Sequence, residues 1–161
     1  MTLKEVIKYV EDSVDPVIEC ISPDTFSYTD ELLSNITLAQ KNKDEYSLED
    51  LLNIASRDGL DNRYTSILCQ LLAQDWHHSQ EDIAMMLKEI KDPQSITALY
   101  ERATNFLDYD DGRSLSRKCI WALGAVGSDK AKEKLILLKN NSDPIVSEVA
   151  ALELDSKFDL P

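Results

Sequence analysis

The feature that most constrains the fold of this chain is an internal repeat in its C-terminal part. Leu115–Leu123 (LSRKCIWAL) aligns with Val146–Leu154 (VSEVAALEL) at an offset of 31 residues, with apolar matches at both ends and in the middle. An earlier copy lies at an offset of 36, in which Leu99 corresponds to Leu135. The five extra residues fall around Phe106 to Gly112, in a loop, where an insertion costs little. A period near 31 with two helices per unit indicates a stacked array of helical hairpins.

Capping residues predict helices along the whole chain, and no strand pattern appears. Helix starts are expected where Ser, Thr or Asp precedes a segment with helical apolar spacing, in a capping box or an Asp-Pro pair. These starts are Thr2 with Glu5, Ser47 with Asp50, Ser79 with Asp82, Asp92-Pro93 and Asp143-Pro144. A further short helix is expected from Pro16 to Ile21, and Gly124 and Gly127 are expected to end a helix in a left-handed turn.

The sequence predicts one all-helical domain over residues 1–161. With 4 Gly and 5 Pro, the chain has few residues for the many tight turns of an all-β fold. Residues 62–158 carry the regular repeats, whereas 1–60 form an irregular helical part. We therefore predict an all-α fold, specifically an α-solenoid or superhelix of helical hairpins.

The repeat resembles a known family. The stretch 115–139, with Arg117, Ala122-Leu123-Gly124, Val126-Gly127 and Leu135, is similar to the short HEAT-like repeats of phycobilisome lyases. Asp143-Pro144 followed by Val146 and Ala150-Ala151 resembles the next unit. The resemblance is good over 79–155, extends to 62–78 and is weak before that. It implies HEAT-like helical hairpins but does not fix a function.

Two residues depart from the family pattern. Trp121 stands where these repeats usually have a polar surface residue, and Asp155 stands where a Gly would follow the last helix. The last unit is therefore expected to be a degenerate terminal cap.

Charge distinguishes the partners that this chain would attract from those it would repel. The net charge is −13, and residues 1–62 hold 14 acidic against 5 basic side chains. Such a field disfavours nucleic acid, which requires a basic face, and favours a protein with a basic surface.

Localisation is expected to be cytoplasmic. Lys4, Glu5 and Lys8 interrupt the apolar pattern that a signal peptide would need, and apolar runs are too short to span a bilayer. The three cysteines (Cys20, Cys69 and Cys119) are widely separated, which indicates reduced, buried thiols. We expect no membrane contact and a monomer.

No candidate for catalysis or metal binding survives its spacing test. His77 and His78 stand near several carboxylates but are expected in a turn before Ser79, and no H-x-x-x-H pair exists. The run Leu107–Gly112 fails as a calcium loop, because with Gly112 at the sixth position Leu107 and Tyr109 would fall at ligand positions. No nucleophile motif occurs. We expect no catalytic residue, no metal and no cofactor.

The loop inserted in the repeat is the best candidate for an interaction site. It combines aromatic and acidic side chains, a mixture common at binding hot spots, and loops of repeat arrays often bind partners. With the nearby indole of the preceding turn, the predicted partner-binding residues are Trp76, Phe106, Asp108, Tyr109, Asp110 and Asp111. The alternative is a solvated acidic loop.

Three functions are compatible with these features. We predict a non-enzymatic immunity protein that binds and neutralises a basic toxin, possibly a nuclease, by electrostatic complementarity. The alternative is a general adaptor or assembly scaffold. The resemblance to lyase repeats also admits a bilin lyase-like activity, but the sequence shows no residue that would act on a bilin pigment.

Overall fold

A computed structural model describes residues 2–12 and 28–158. These residues form helices and turns and no strand, so the predicted all-α fold is confirmed for them. Along the same ranges, no helix combines the length and apolarity that crossing a bilayer requires. The chain divides into two compact units, Met1–Leu60 (unit 1) and Asp61–Pro161 (unit 2).

Unit 1 contains three described helices. They are α1 (Leu3–Asp12), α2 (Thr29–Asn42) and α3 (Glu45–Asp58). The expected capping box opens α1, because the Thr2 N–H donates to Glu5 Oε2 at 2.7 Å and the Glu5 N–H to Thr2 Oγ1 at 3.4 Å. The helix expected from Pro16 lies outside the described residues.

The start of α3 corrects the sequence prediction. The N-cap is Asp44, whose carboxylate accepts hydrogen bonds from the Ser47 backbone N–H at 3.2 Å and from its hydroxyl at 2.7 Å. Ser47 is therefore the third residue of the helix and not its cap. The chain leaves α2 at Lys43, which has the left-handed conformation, so α3 can begin directly afterwards. The first backbone N–H groups of α3 therefore need an acceptor at Asp44, one turn before the position predicted from the sequence.

In unit 2, the described residues form six α-helices in two rows. They are α4 (Thr65–Leu72), α5 (Gln80–Ile90), α6 (Ile96–Thr104), α7 (Ser114–Val126), α8 (Asp129–Lys139) and α9 (Pro144–Lys157). A 3-10 turn precedes α4 at Asn62–Tyr64, and another precedes α6 at Pro93–Ser95. One row is α4, α6 and α8, and the other is α5, α7 and α9. Successive helices of a row pack together, as in a solenoid.

The core of unit 2 follows the register of the internal repeat. Leu87, Leu123 and Leu154 stand at equivalent positions of α5, α7 and α9, and all three are buried. Leu99 and Leu135 are likewise buried on α6 and α8. The predicted apolar matches therefore mark the core positions of neighbouring repeats.

The expected helix starts of unit 2 are confirmed at two Asp-Pro pairs and modified at a third position. Asp92 accepts a hydrogen bond from the Gln94 N–H, and Asp143 accepts from two backbone N–H groups at 3.0 and 3.1 Å. Ser79 is the N-cap of α5, but its side chain makes no capping hydrogen bond, so the capping box predicted there is wrong. Its backbone N–H donates instead to His77 Nδ1 at 3.2 Å.

The two glycines that follow Leu123 have different roles. Gly127 ends α7 with φ +67°, the left-handed conformation that was expected. Gly124 lies inside α7, which corrects the prediction that it ends the helix. A Cβ at Gly124 would overlap the Glu153 side chain of α9, so a larger residue there would displace that side chain.

Candidate protein-binding edge

The inserted loop between α6 and α7 is held in place by Asp110. This side chain is buried, and its two carboxylate oxygens accept hydrogen bonds from the backbone N–H groups of Ser114 at 2.6 Å and Leu115 at 3.1 Å. The carboxylate thereby caps the first turn of α7, which has no other side-chain cap. The sequence grouped Asp110 with the partner-contacting residues. In the structure, both oxygens of Asp110 are engaged inside the protein.

Arg113 fixes the same loop from its other end. Its Nη1 donates to the Asp110 carbonyl at 2.7 Å, and its Nε to Asp143 Oδ2 at 2.8 Å. The guanidinium also lies 4.0 Å from the centre of the Phe106 ring. Arg113 therefore joins the inserted loop to the turn before α9, and Phe106 is half-buried beneath the guanidinium.

The Asp143 carboxylate that receives Arg113 is stabilised in its charged form. Burial opposes ionisation, but hydrogen bonds from the Val146 N–H and from Arg113 outweigh it and lower the pKa of Asp143. Glu81 behaves in the same way: burial opposes ionisation, and hydrogen bonds from Lys118 and Ser114 outweigh it and lower its pKa. The Arg113–Asp143 contact joins the inserted loop to the start of α9, and the Lys118–Glu81 contact joins α7 to α5.

The turn between α4 and α5 lies against the inserted loop. The His78 ring centroid is 6.4 Å from that of Tyr109. Arg102 of α6, whose side chain is buried, extends its Nη2 to 2.5 Å from Asp75 Oδ1. The structure thus places the turn that contains Trp76 beside the inserted loop, through the contact of His78 with Tyr109.

Trp76 is half-buried in this turn. Its Nε1 donates to Gln74 Oε1 at 2.7 Å, and its ring meets the His77 ring edge-on at 4.8 Å. His77 is buried, with Nε2 3.0 Å from the Leu71 carbonyl. Within residues 2–12 and 28–158, no group of three or more His, Cys, Asp or Glu side chains is placed to hold a metal ion.

The remaining predicted residues are exposed beside one another. Tyr109 is 60% exposed, and Asp108 and Asp111 on either side of it are also exposed. Partial burial and the Glu81 carboxylate raise the pKa of the Tyr109 phenol, so it remains a hydrogen-bond donor. Asp75 adds a third exposed carboxylate from the neighbouring turn.

We call the surface formed by Asp75–His78 and Phe106–Asp111 the loop edge. Asp75 and His78 also contribute to it, although they are not among the partner-binding residues predicted from the sequence. The signal that could have found them is the repeat itself, because loops that follow successive helices of one array lie at the same end of that array.

Comparison with known proteins finds no family model, curated protein or solved structure that this chain matches.

Proposed function

We propose that this protein acts by binding another protein through the loop edge. The observation that carries the proposal is the position of Tyr109, a largely exposed aromatic side chain between two exposed carboxylates on a loop that is fixed from beneath. An aromatic anchor on a preorganised loop loses little conformational entropy on binding, and such residues dominate binding energy at interfaces.

The proposed partner is a protein with a basic surface. Asp108 and Asp111 are exposed at the loop edge, Asp75 is exposed beside them in its ion pair with Arg102, and the whole chain carries −13. This charge would steer a basic protein and speed the encounter. Within this class we favour an immunity-type protein that neutralises a basic toxin, with a HEAT-like array as its scaffold.

A binding role also agrees with the state of the two cysteines that the structure describes. Cys69 and Cys119 are free thiols, and burial raises their pKa values to about 11 and about 12. Such thiols are poor nucleophiles at neutral pH. Reduced thiols suit the proposed cytoplasmic location.

The test is affinity capture from the lysate of the natural host, with partners identified by mass spectrometry at low and moderate salt. The edge variant combines Asp108→Ser, Tyr109→Ser and Asp111→Ser. The control combines Glu101→Gln and Glu133→Gln, which removes the same number of charges from exposed positions of α6 and α8.

The expected result is one stoichiometric basic partner that elutes as salt rises, is retained by the control and is lost by the edge variant. Equal capture by both variants would exclude the loop edge. A partner with an acidic surface, or several unrelated partners, would favour the adaptor function over an inhibitor of a basic toxin.

A further inference from the structure

Three large apolar side chains are exposed at the same position of three successive repeats. The offset of 36 residues relates Met85 to Trp121, and the offset of 31 relates Trp121 to Leu152. Their exposed fractions are 37%, 36% and 61%. They lie on α5, α7 and α9, which pack side by side in one row. We call these three side chains the apolar stripe.

The stripe points away from the core. The residues two positions earlier on the same helices, Ile83, Cys119 and Ala150, are fully buried. Two residues along a helix correspond to a rotation of about 200°, so the stripe faces nearly opposite to these core positions. Repeated exposure of large apolar side chains on adjacent helices has no explanation in the packing of unit 2, and such surfaces mark interaction sites.

The centre of the stripe carries a local charge opposite to that of the whole chain. Trp121 lines an open depression of about 400 Å³ together with Lys88, Ala125, Glu153, Ser156 and Lys157. The Lys88 ammonium is 5.8 Å from the centre of the Trp121 ring. Two ammonium groups thus stand against one carboxylate.

The one carboxylate in the depression, that of Glu153, lies against the neighbouring helix. Glu153 lies against α7 in the space that Gly124 leaves open. Burial raises the pKa of Glu153, although Lys157 and Lys88 act in the opposite direction. The Glu153 charge is therefore less available to a partner than the two ammonium groups.

Other charges on these helices restrict where a partner's acidic residues would fit. The central helix α7 carries Arg117 and Lys118 and no carboxylate, with Lys118 paired to Glu81. The outer helices carry exposed acids, which are Asp82, Glu89, Glu148 and Asp155. Cations are therefore concentrated around Trp121, and the two ends of the stripe are acidic.

We propose that the apolar stripe docks an amphipathic helix of a partner protein, one that carries carboxylates beside its central apolar side chain. Packed helices lie about 8–10 Å apart, and seven residues of a helix rise by about 10 Å. Apolar residues seven positions apart on a helix that crosses the row would therefore reach Met85, Trp121 and Leu152 in turn. A second copy of this chain fits less well, because each copy carries −13 and copies repel one another.

This inference does not depend on the proposed role of the loop edge, and its test uses defined probes. Three synthetic helical peptides share apolar residues at a spacing of seven and carry Glu, Gln or Lys on both sides of the central one. Binding is followed by NMR through the two tryptophan indole N–H signals. Trp76 is the internal control, since its indole already donates to Gln74.

We expect the Glu peptide to shift the Trp121 signal, to leave the Trp76 signal in place and to bind about tenfold more tightly than the Lys peptide. Leu152→Ser, which keeps the Trp121 reporter, should weaken binding, and Lys88→Glu should remove the preference for Glu. Leu137→Ser is the matched control, because Leu137 is 53% exposed on α8 of the other row.

Three results would overturn the proposal. One is no shift of the Trp121 signal with the Glu peptide at millimolar concentration. Another is binding of the Lys peptide as tight as that of the Glu peptide. The third is a shift of the Trp121 signal on dilution of the protein alone, which would assign the stripe to a second copy of the chain.

Discussion

Replacing Asp110 by Ala tests whether this buried carboxylate is a structural cap. The change removes the acceptors of two backbone N–H groups, those of Ser114 and Leu115, and the second of these lies in a buried contact. Loss of an N-cap costs about 0.5–2 kcal/mol, and hydrogen bonds to a charged acceptor are each worth about 1.5–3 kcal/mol. Since both N–H groups share one carboxylate and Ser114 can reach water, we expect a loss of about 2–3 kcal/mol.

The assay is urea unfolding followed by tryptophan fluorescence. Both tryptophans, Trp76 and Trp121, lie in unit 2, so the signal reports the unit that contains the cap. Asp108→Ala is the matched control, because Asp108 is exposed in the same loop and should change stability by less than about 0.5 kcal/mol. Asp110→Asn keeps one acceptor oxygen and should fall between the two. Equal midpoints for Asp108→Ala and Asp110→Ala would refute the capping role.

Three further perturbations follow from the structure. The pKa values of Glu81 and Asp143 are held below 4.5 and 3.8, so their stabilisation is complete above those values and is lost as pH falls through the lower folded-state pKa. The urea concentration at the unfolding midpoint of unit 2 should therefore decrease when the pH is lowered below about 4.5. This decrease should be smaller in a Glu81→Gln, Asp143→Asn double variant. Ala150→Leu should destabilise unit 2 by about 1–3 kcal/mol through overpacking, whereas Ala151→Leu, at a half-exposed position, should cost less; equal thermal melts would contradict this. Gly127→Ala should cost about 1–2 kcal/mol, because φ is +67° there, and an unchanged melting temperature would show that the turn relaxes.

The loop edge and the apolar stripe give unit 2 two surfaces of different character. The loop edge is acidic with an exposed phenol, and the centre of the stripe is aromatic with two lysines. Either one partner contacts both surfaces, or two partners contact one surface each. Capture by the edge variant and capture by a Trp121→Ser variant distinguish these cases. If each change alone abolishes capture of the same protein, that protein is a single partner with an extended interface.

The sequence by itself determined the class of fold and the register of unit 2. Apolar side chains at a spacing of 31 and 36 residues can be buried together only if the helices stack, and the burial of Leu87, Leu123 and Leu154 confirms this. The Asp-Pro helix starts were also predictable, since they depend on residues within one turn of each other.

Only the tertiary structure decided which acidic residues of the inserted loop are available. Asp108, Asp110 and Asp111 are alike in local sequence, yet Asp110 turns inward because α7 begins there with backbone N–H groups that need an acceptor. The contact at Gly124 could not be predicted from the sequence either. The Glu153 side chain that fills the space beside Gly124 comes from another helix, and no local pattern contains that contact. Capping and periodicity are local and can be predicted from the sequence. Whether a carboxylate is exposed or buried depends instead on whether a neighbouring helix has backbone N–H groups without an acceptor.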